Sequence, residues 1–384
     1  IHGGVIVEPP HLAPALAALG QPGSRALIAT PAAVLDLDAF DRNVGRMVER
    51  ALAAGLALPP HAKSHKCATL AHRQIAAGAV GICCAKLAEA EAMAAASVGR
   101  ILVTSPIAGA ASAARAARLA ADLPDFRIVV DHVDGVAELA AAATAPIQVI
   151  IDIDVGLGRT GVHDASQAAD VARAIAGRPN LIFLGLQGYG GQWQHMKGAN
   201  ARADAVASGM ARMTDAIAAV RAVGLVPRII TGGGTGTFAA DAAQGILNEI
   251  QPGSFAFMDR DYREALEGDP DGAFEQALTV ETSVITTNHP RWVTIDGGLK
   301  AFSTDGPLPQ ALDARFSECA FRFFGDEHGL LMRPTDGAPA PRGTRIAFAP
   351  GHIDPTLDRY SVLHLVQGDV LVDIVPIEAR GASQ

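Results

Sequence analysis

A chain of 384 residues, 49% of them hydrophobic, can fill a large core and exceeds one ordinary domain, so two domains are expected. A net charge of -9 excludes a nucleic-acid surface, which needs clustered Lys and Arg against phosphates. No apolar run nears the roughly 18 residues of a membrane span, and the opening Ile1-His2-Gly3-Gly4-Val5 lacks the basic-then-apolar order of a signal peptide, so a soluble cytoplasmic protein is expected.

Along the chain, Val34-Leu35-Asp36-Leu37-Asp38 reads as a strand, and Ala39 to Ala54 has apolar residues at helical spacing. Eight strand-like runs follow: Leu56–Lys63, Gly81–Lys86, Ile101–Ser105, Arg127–Asp131, Ile147–Asp154, Leu181–Gly188, Arg228–Thr231 and Glu249–Met258. Between them His65–Ala76, Leu87–Ala95, Ala110–Ala121, Gly135–Ala143, Ala165–Ala176, Ala201–Val223 and Gly236–Ile246 read as helices. Strands alternating with helices signal parallel βα units. Eight of them fit a closed (β/α)8 TIM barrel of about 250 residues. An open doubly wound sheet is the alternative, but its glycine-rich turn would follow the first strand, and Gly232-Gly233-Gly234-Thr235-Gly236 follows the seventh.

From about Pro270 the pattern changes to the short β-like runs Thr279–Thr287, Arg291–Asp296, Arg345–Ala349 and Val362–Val375, with no convincing helix after Ala265. The expected architecture is a barrel over 30–265 and a C-terminal mainly-β domain over 270–384, joined through Gly268-Asp269-Pro270-Asp271-Gly272. Residues 1–29 and the strand 33–38 are expected to pack on that β domain. The four cysteines, Cys67, Cys83, Cys84 and Cys319, show no CxxC spacing and imply no disulfide scaffold. Cys83 and Cys84 end an apolar run and are expected as buried strand residues.

Barrel active sites lie at the C-terminal ends of the strands. The first strand ends in Pro60-His61-Ala62-Lys63-Ser64-His65-Lys66, where partial burial can free the Lys63 amine as a nucleophile. The fifth leads into a glycine-rich loop carrying Arg159. The sixth leads into Gln187-Gly188-Tyr189-Gly190-Gly191, with His195 beyond. After the seventh, Thr231-Gly232-Gly233-Gly234-Thr235-Gly236-Thr237 offers backbone N–H groups ahead of a helix, an anion site. In Pro350-Gly351-His352-Ile353-Asp354-Pro355, read as extended, His352 and Asp354 face one side and can share a metal. His plus carboxylate without thiolate suits Mn²⁺ or Zn²⁺, and the carboxylate favours Mn²⁺. Read singly, each feature also fits an ordinary role: a surface lysine, a loop arginine, a core tyrosine, a tight turn, a helix cap.

Taken together, these residues resemble a known family. Pro60–Lys66 is similar to the lysine strand of the D-threonine aldolase and D-serine dehydratase family of pyridoxal-phosphate enzymes, which share the alanine-racemase-like fold. The resemblance runs from about Thr30 to Tyr360 and takes in Pro31–Asp38, Ala79–Lys86, Gln187–Gly191, Thr231–Gly236, Gln251–Ser254 and Pro350–Asp354. It implies that Lys63 forms the Schiff base and that Arg159 lies near the cofactor's phenolic oxygen. It also implies that Gly233, Gly234 and Thr235, with Gly253 and Ser254, hold the phosphate. Tyr189 and Thr231 are expected among the cofactor contacts, and Gln251 stands where alanine racemases carry an arginine facing the pyridine nitrogen. His61 and His65 are expected to order the Lys63 strand.

The dehydratase relatives usually show His-x-Cys, whereas this chain has His352-Ile353-Asp354. The racemases need a tyrosine in the β domain, and Asp296–Phe302 has none. Both departures imply a D-threonine aldolase type of lyase, cleaving β-hydroxy-D-amino acids to glycine and an aldehyde. The metal would be held by His352 and Asp354, Mn²⁺ ahead of Zn²⁺, Mg²⁺ or Co²⁺, and His195 would take the hydroxyl proton. A dehydratase of D-serine or D-threo-3-hydroxyaspartate is the alternative, and a non-catalytic cofactor-binding protein the third reading. The resemblance further implies a homodimer, in which Asp296, Lys300 and Asp305 can reach a partner's site.

Overall fold

The computed structural model describes residues 9–333 and 340–384. The opening Ile1–Val5, the first part of the segment 1–29 expected on the β domain, and residues 334–339 lie outside the described residues. The chain forms two compact units. One holds Val44–Phe255, Tyr262–Phe274 and Gly381–Gln384; the other holds the described residues of Ile1–Asn43, Ala256–Asp261 and Glu275–Arg380.

The first unit is a parallel sheet of Ile82–Cys84, Arg100–Val103, Asp125–Val130, Ile147–Asp152, Leu181–Gly188, Ile229–Gly232 and Glu249–Ile250, side by side in chain order. Helices Ala68–Ala76, Leu87–Ala95, Ala110–Asp122, Val133–Ala142, Ala165–Ala176, Ala199–Ala222 and Phe238–Gln244 alternate with these strands. The expected first strand, Leu56–Lys63, is not continuous. It makes single parallel bridges, Ala57 to Glu249 at one sheet edge and His61 to Cys83 at the other. Backbone bonds from His61 N–H to Pro252 O (3.0 Å) and from Cys83 N–H to Pro60 O (2.9 Å) strengthen those joins, so this segment closes the barrel. The reason it is broken is Pro59-Pro60, which has no N–H to donate to a ladder.

The last expected barrel strand, Glu249–Met258, is likewise only Glu249–Ile250 before it turns into loop and a 3-10 turn at Ser254–Ala256. The helix expected from His65 begins at Ala68, because Lys66 has φ 53, outside the helical region. The helix expected over Gly236–Ile246 ends at Gln244, where Gly245 takes φ 62 as a left-handed cap. Cys83, Leu102, Val129, Ile150 and Leu184, from five neighbouring strands, fill one apolar cluster. Cys83 and Cys84 are strand residues with no exposed surface, as expected, and burial pushes both thiols well above the usual range. The four cysteines form no disulfide.

The second unit is built on a mainly antiparallel sheet. Its order is Ala320–Phe323, Gly329–Met332, Trp292–Ile295, Leu278–Thr286, Ala32–Asp36, Val362–Gln367 and Val370–Pro376. Arg345–Ala349 also pairs with Leu278–Thr286, and with Gln310–Ala311. The run Val362–Val375 read as one strand is a hairpin, since Gly368 with φ 59 turns the chain between two strands. A helix does follow Ala265: Ile353–Leu357, with His352 as its N-cap in extended backbone. His352 and Asp354 are therefore not two positions of one extended segment, and the one-face argument fails locally.

Phe302, Phe321, Phe323 and Phe348 interlock in this unit through five ring contacts at centroid separations of 4.9–6.5 Å, all edge to face. Phe302 is central and fully buried. Phe302→Ala is expected to cost about 3–5 kcal/mol, read as a lowered urea midpoint. A shift under about 1 kcal/mol would show that the cluster does not depend on this ring. Among the described residues, no helix is long and apolar enough to cross a membrane.

Candidate active site

The C-terminal ends of the barrel strands surround a cavity of about 330 Å³, lined by Lys63, Arg159, Tyr189, Gly234, Thr235, Gln251, Gly253 and Ser254 among others. All of these residues belong to the barrel unit. Lys63 sits half-buried on the one-turn 3-10 helix Ala62–Ser64 that follows the closing segment. His61 holds this turn. Its Nδ1 accepts the Lys63 N–H (3.3 Å), and its Nε2 lies 3.0 Å from Thr104 Oγ1. Thr104 spends its own proton on Cys84 O (3.2 Å), so His61 donates from Nε2 and is the neutral Nε2–H tautomer. Gly253 lies against the same turn, where a Cβ would stand 3.0 Å from His61 O.

Parallel register sets Asp152 beside Gln187 and Gln187 beside Thr231, one row of polar side chains at the strand ends. Gln187 Nε2 donates to Asp152 Oδ1 (2.9 Å) and to Thr104 O (2.9 Å). Gln251 Nε2 donates to Gln187 Oε1 (3.2 Å) and Thr231 Oγ1 (2.9 Å). Burial pushes the Asp152 carboxyl up to about 6, against the pull of bonds from Gln187 and Thr160. The network orients both amides. It commits the Gln251 NH₂ group to the wall, which leaves Oε1, an acceptor, as that side chain's remaining polar atom.

Arg159 is exposed, with its guanidinium carbon 5.6 Å from the Tyr189 ring centroid, on a loop folded by Asp154 Oδ1 accepting the N–H groups of Gly156 (2.9 Å) and Gly158 (2.9 Å). The cavity's other side is backbone. Among the described residues, the N–H groups of Thr235, Gly253 and Ser254 donate to no protein acceptor. Three such donors beside a lysine amine match an anionic group joined to an aldehyde or ketone.

Three of the expected catalytic and cofactor-contact residues are not in the cavity wall, nor are the two expected metal ligands. Thr231 stands behind Gln251 as its acceptor. Gly233, with φ 65, turns the loop. His195 is exposed, edge-on to the Tyr262 ring at 4.3 Å, and it is Tyr262 that lines the cavity. Residues absent from the expected set but present in the wall include Ser105, Gln187 and Tyr262. The strand-end rule was enough to find Ser105 and Gln187. Tyr262, one of three tyrosines, follows the last strand on the short helix Arg260–Ala265 and carries no such signal.

His352 and Asp354 belong to the second unit. His352 Nδ1 is 2.8 Å from Asp305 Oδ2, which leaves Nε2 as the ring atom for a metal, the usual carboxylate–histidine arrangement. The backbone is fastened by Ser303 Oγ (3.0 Å) and Thr356 Oγ1 (2.6 Å), both donating to His352 O, and by Ile353 N–H donating to Asp259 Oδ2 (3.1 Å). Among the described residues no three metal-ligating side chains gather at one point. Of the residues weighed for a partner's site, Asp296 accepts from Thr30 Oγ1 (2.5 Å) and Lys300 pairs with Glu327 (2.5 Å).

Comparison with known proteins agrees with this fold. The family model described as alanine racemase, N-terminal domain, matches residues 35–261, and a serine dehydratase domain model matches 277–366. A D-threonine aldolase of Arthrobacter sp. is 38% identical over 99% of this chain and 98% of its own. A 3-hydroxy-D-aspartate aldolase of Paracoccus denitrificans is 35% identical over 92% of each. A D-threo-3-hydroxyaspartate dehydratase of Delftia sp. is 29% identical over 88% of this chain and 94% of its own. The crystal structure of D-threonine aldolase from Filomicrobium marinum superposes with a TM-score of 0.89 at 36% identity, covering 94% of this chain and 98% of that one. An alternating βα ring, a β-rich second unit and these relatives place the chain together: it is a lyase that belongs to the alanine racemase N-terminal domain family, among the relatives that include the D-threonine aldolases.

Proposed function

We propose that the protein cleaves β-hydroxy-D-amino acids such as D-threonine to glycine and an aldehyde, using pyridoxal phosphate on Lys63 and a divalent metal, Mn²⁺ first, on His352 and Asp354. The observation that carries this reading is the Lys63 amine sharing one cavity with the backbone donors of Thr235, Gly253 and Ser254. Those residues fit the cofactor's aldehyde and phosphate, and His352 Nε2, left over by the Asp305 contact, and the Asp354 carboxylate are donors of the kind a divalent metal takes.

When bound, the cofactor supplies an electron sink for the Cα–Cβ bond and the metal a positive charge that lowers the pKa of the β-hydroxyl. The protein's part is to place and protect. Lys63 would hold the cofactor through its amine. The Thr235, Gly253 and Ser254 N–H groups would hold the phosphate, and Arg159 and Tyr189, in the same cavity wall, would contact the cofactor. Gln251, its amide committed to Gln187 and Thr231, presents no proton toward the cofactor's ring nitrogen. His195 takes the β-hydroxyl proton, directly or through water, with Tyr262 setting its ring angle. The homodimer that the resemblance implies is part of this reading.

The test is one incubation with pyridoxal phosphate, Mn²⁺ and D-threonine or 3-hydroxy-D-aspartate, scored for glycine and ammonia in the same sample. Glycine with an equal yield of aldehyde is the expected product pair. Ammonia with an oxo acid would move the chain to the dehydratase reading, which the Delftia relative keeps open.

A further inference from the structure

The glycines of the Gly232–Gly236 loop invite a simple explanation, that a ligand needs the room. The structure points to the opposite side. A Cβ at Gly233 would lie 2.4 Å from Asp241 Oδ2, one at Gly234 2.4 Å from Gln194 Oε1, and one at Gly236 2.0 Å from Gln194 O. What crowds these positions is protein beneath the loop, two polar residues each 1% exposed.

Their hydrogen bonds form a directed set. Thr237 Oγ1 accepts the Gly234 N–H (3.1 Å) and a Gln194 Nε2–H (3.0 Å), and it donates to Asp241 Oδ2 (2.5 Å). A hydroxyl has one proton and two lone pairs, so these three bonds use all it has, and Asp241 decides which way the proton points. Gln194 Oε1 then accepts the Gly236 N–H (3.0 Å), while its Nε2 also reaches Gly190 O (3.3 Å) beside Tyr189. Thr235, between the two fastened glycines, gives its Oγ1 to the Phe255 N–H (3.1 Å) and keeps its own N–H for the cavity.

Asp241 itself is unusual. Its Oδ1 is buried with no partner among the described residues. Burial pushes its carboxyl up to about 7, Thr237's bond opposes this, and the charge of Asp271 adds to it. Asp271 is held in turn by Arg50 and by the Ala239 N–H (2.9 Å). A polar group kept buried at such cost has a structural or chemical task.

We propose that Asp241 and Gln194 are positioning residues for the phosphate end of the cofactor. Asp241 sets the Thr237 proton, Thr237 and Gln194 fasten Gly234 and Gly236, and the Thr235 N–H is thereby aimed at the ligand. Gln194 ties the same loop to the segment that carries Tyr189, so the two edges of the cavity keep one spacing. This inference rests on the proposed placement of the phosphate at this loop.

Pyridoxal, which has the aldehyde and no phosphate, separates the two. Both compounds are titrated into the apoprotein by absorbance, and the thermal midpoint of each apoprotein is recorded. The wild type is expected to prefer pyridoxal phosphate. Thr237→Val and Asp241→Ala are expected to weaken pyridoxal phosphate about tenfold, the effect of one misplaced hydrogen bond, and to change pyridoxal less than about twofold. Asp241→Asn, whose amide oxygen can still accept from Thr237, should restore most of the phosphate preference. An equal loss for both compounds, or an unchanged preference in Thr237→Val, would overturn the brace. A wild type that binds pyridoxal as well as its phosphate would instead sink the phosphate placement, and the inference with it. Should Asp241→Ala fail to fold, Thr237→Val and Asp241→Asn decide the matter.

Discussion

Lys63→Ala is expected to lower cleavage of D-threonine by about 10³- to 10⁴-fold and to leave no cofactor that borohydride can fix to the chain. The amine stands alone in its role for a geometric reason. Lys63 lines the cavity from a turn that His61 holds by its Nδ1, and His61 is itself held by Thr104. Among the described residues no other lysine lines that cavity. The assay is paired with mass spectrometry of the reduced protein. Retained attachment in Lys63→Ala would show another residue carrying the cofactor. Loss of attachment with full activity would mean that covalent linkage is dispensable.

The second large effect is expected at the other unit. His352→Ala and Asp354→Asn should each lower cleavage about 10³-fold, as should chelation of the wild type, because the positive charge that lowers the hydroxyl pKa is gone. Cofactor attachment to Lys63 should be unchanged in all three cases, since neither His352 nor Asp354 is among the residues that line the Lys63 cavity. Asp305→Ala is a milder version of the same change. It removes the 2.8 Å contact that holds His352 Nδ1, and about 10–100-fold weaker metal affinity is expected. Titration of Mn²⁺ against activity separates the two classes: Asp305→Ala recovers at high metal, and His352→Ala does not. Loss of cofactor attachment on chelation would assign the metal to the cofactor site instead.

The residues of the candidate site divide by how far their partners lie along the chain. Lys63, Arg159, Tyr189 and Thr235 line the cavity as the strand-end rule expects, since strand ends in a βα ring all reach one face, and Gln251 and Ser254 line it as the resemblance implies. Periodicity and strand count, both local properties, were enough for the first four. His195 follows a strand end too, yet the 3-10 turn Gly191–Trp193 carries it to the exposed edge of Tyr262. No spacing rule anticipates such a turn.

What the amino-acid sequence determined by itself was therefore the alternation of strands and helices, the change to β structure near residue 270, and the short motifs that mark the family. These depend on neighbours within a few residues, where side-chain period and Gly or Pro punctuation act directly. Tertiary structure decided the rest. Pro59 and Pro60 turned the first strand into a pair of bridges that closes the ring. The Asp152, Gln187, Gln251 and Thr231 bonds follow from strand register, which places side chains from distant segments in one row. The glycine run read as a phosphate loop, but its need for glycine comes from Gln194 and Asp241, packed beneath it from one side and from the helix that follows. Buried hydrogen bonds have to be satisfied wherever their partners lie in the chain, so only the folded molecule reveals which residue answers which.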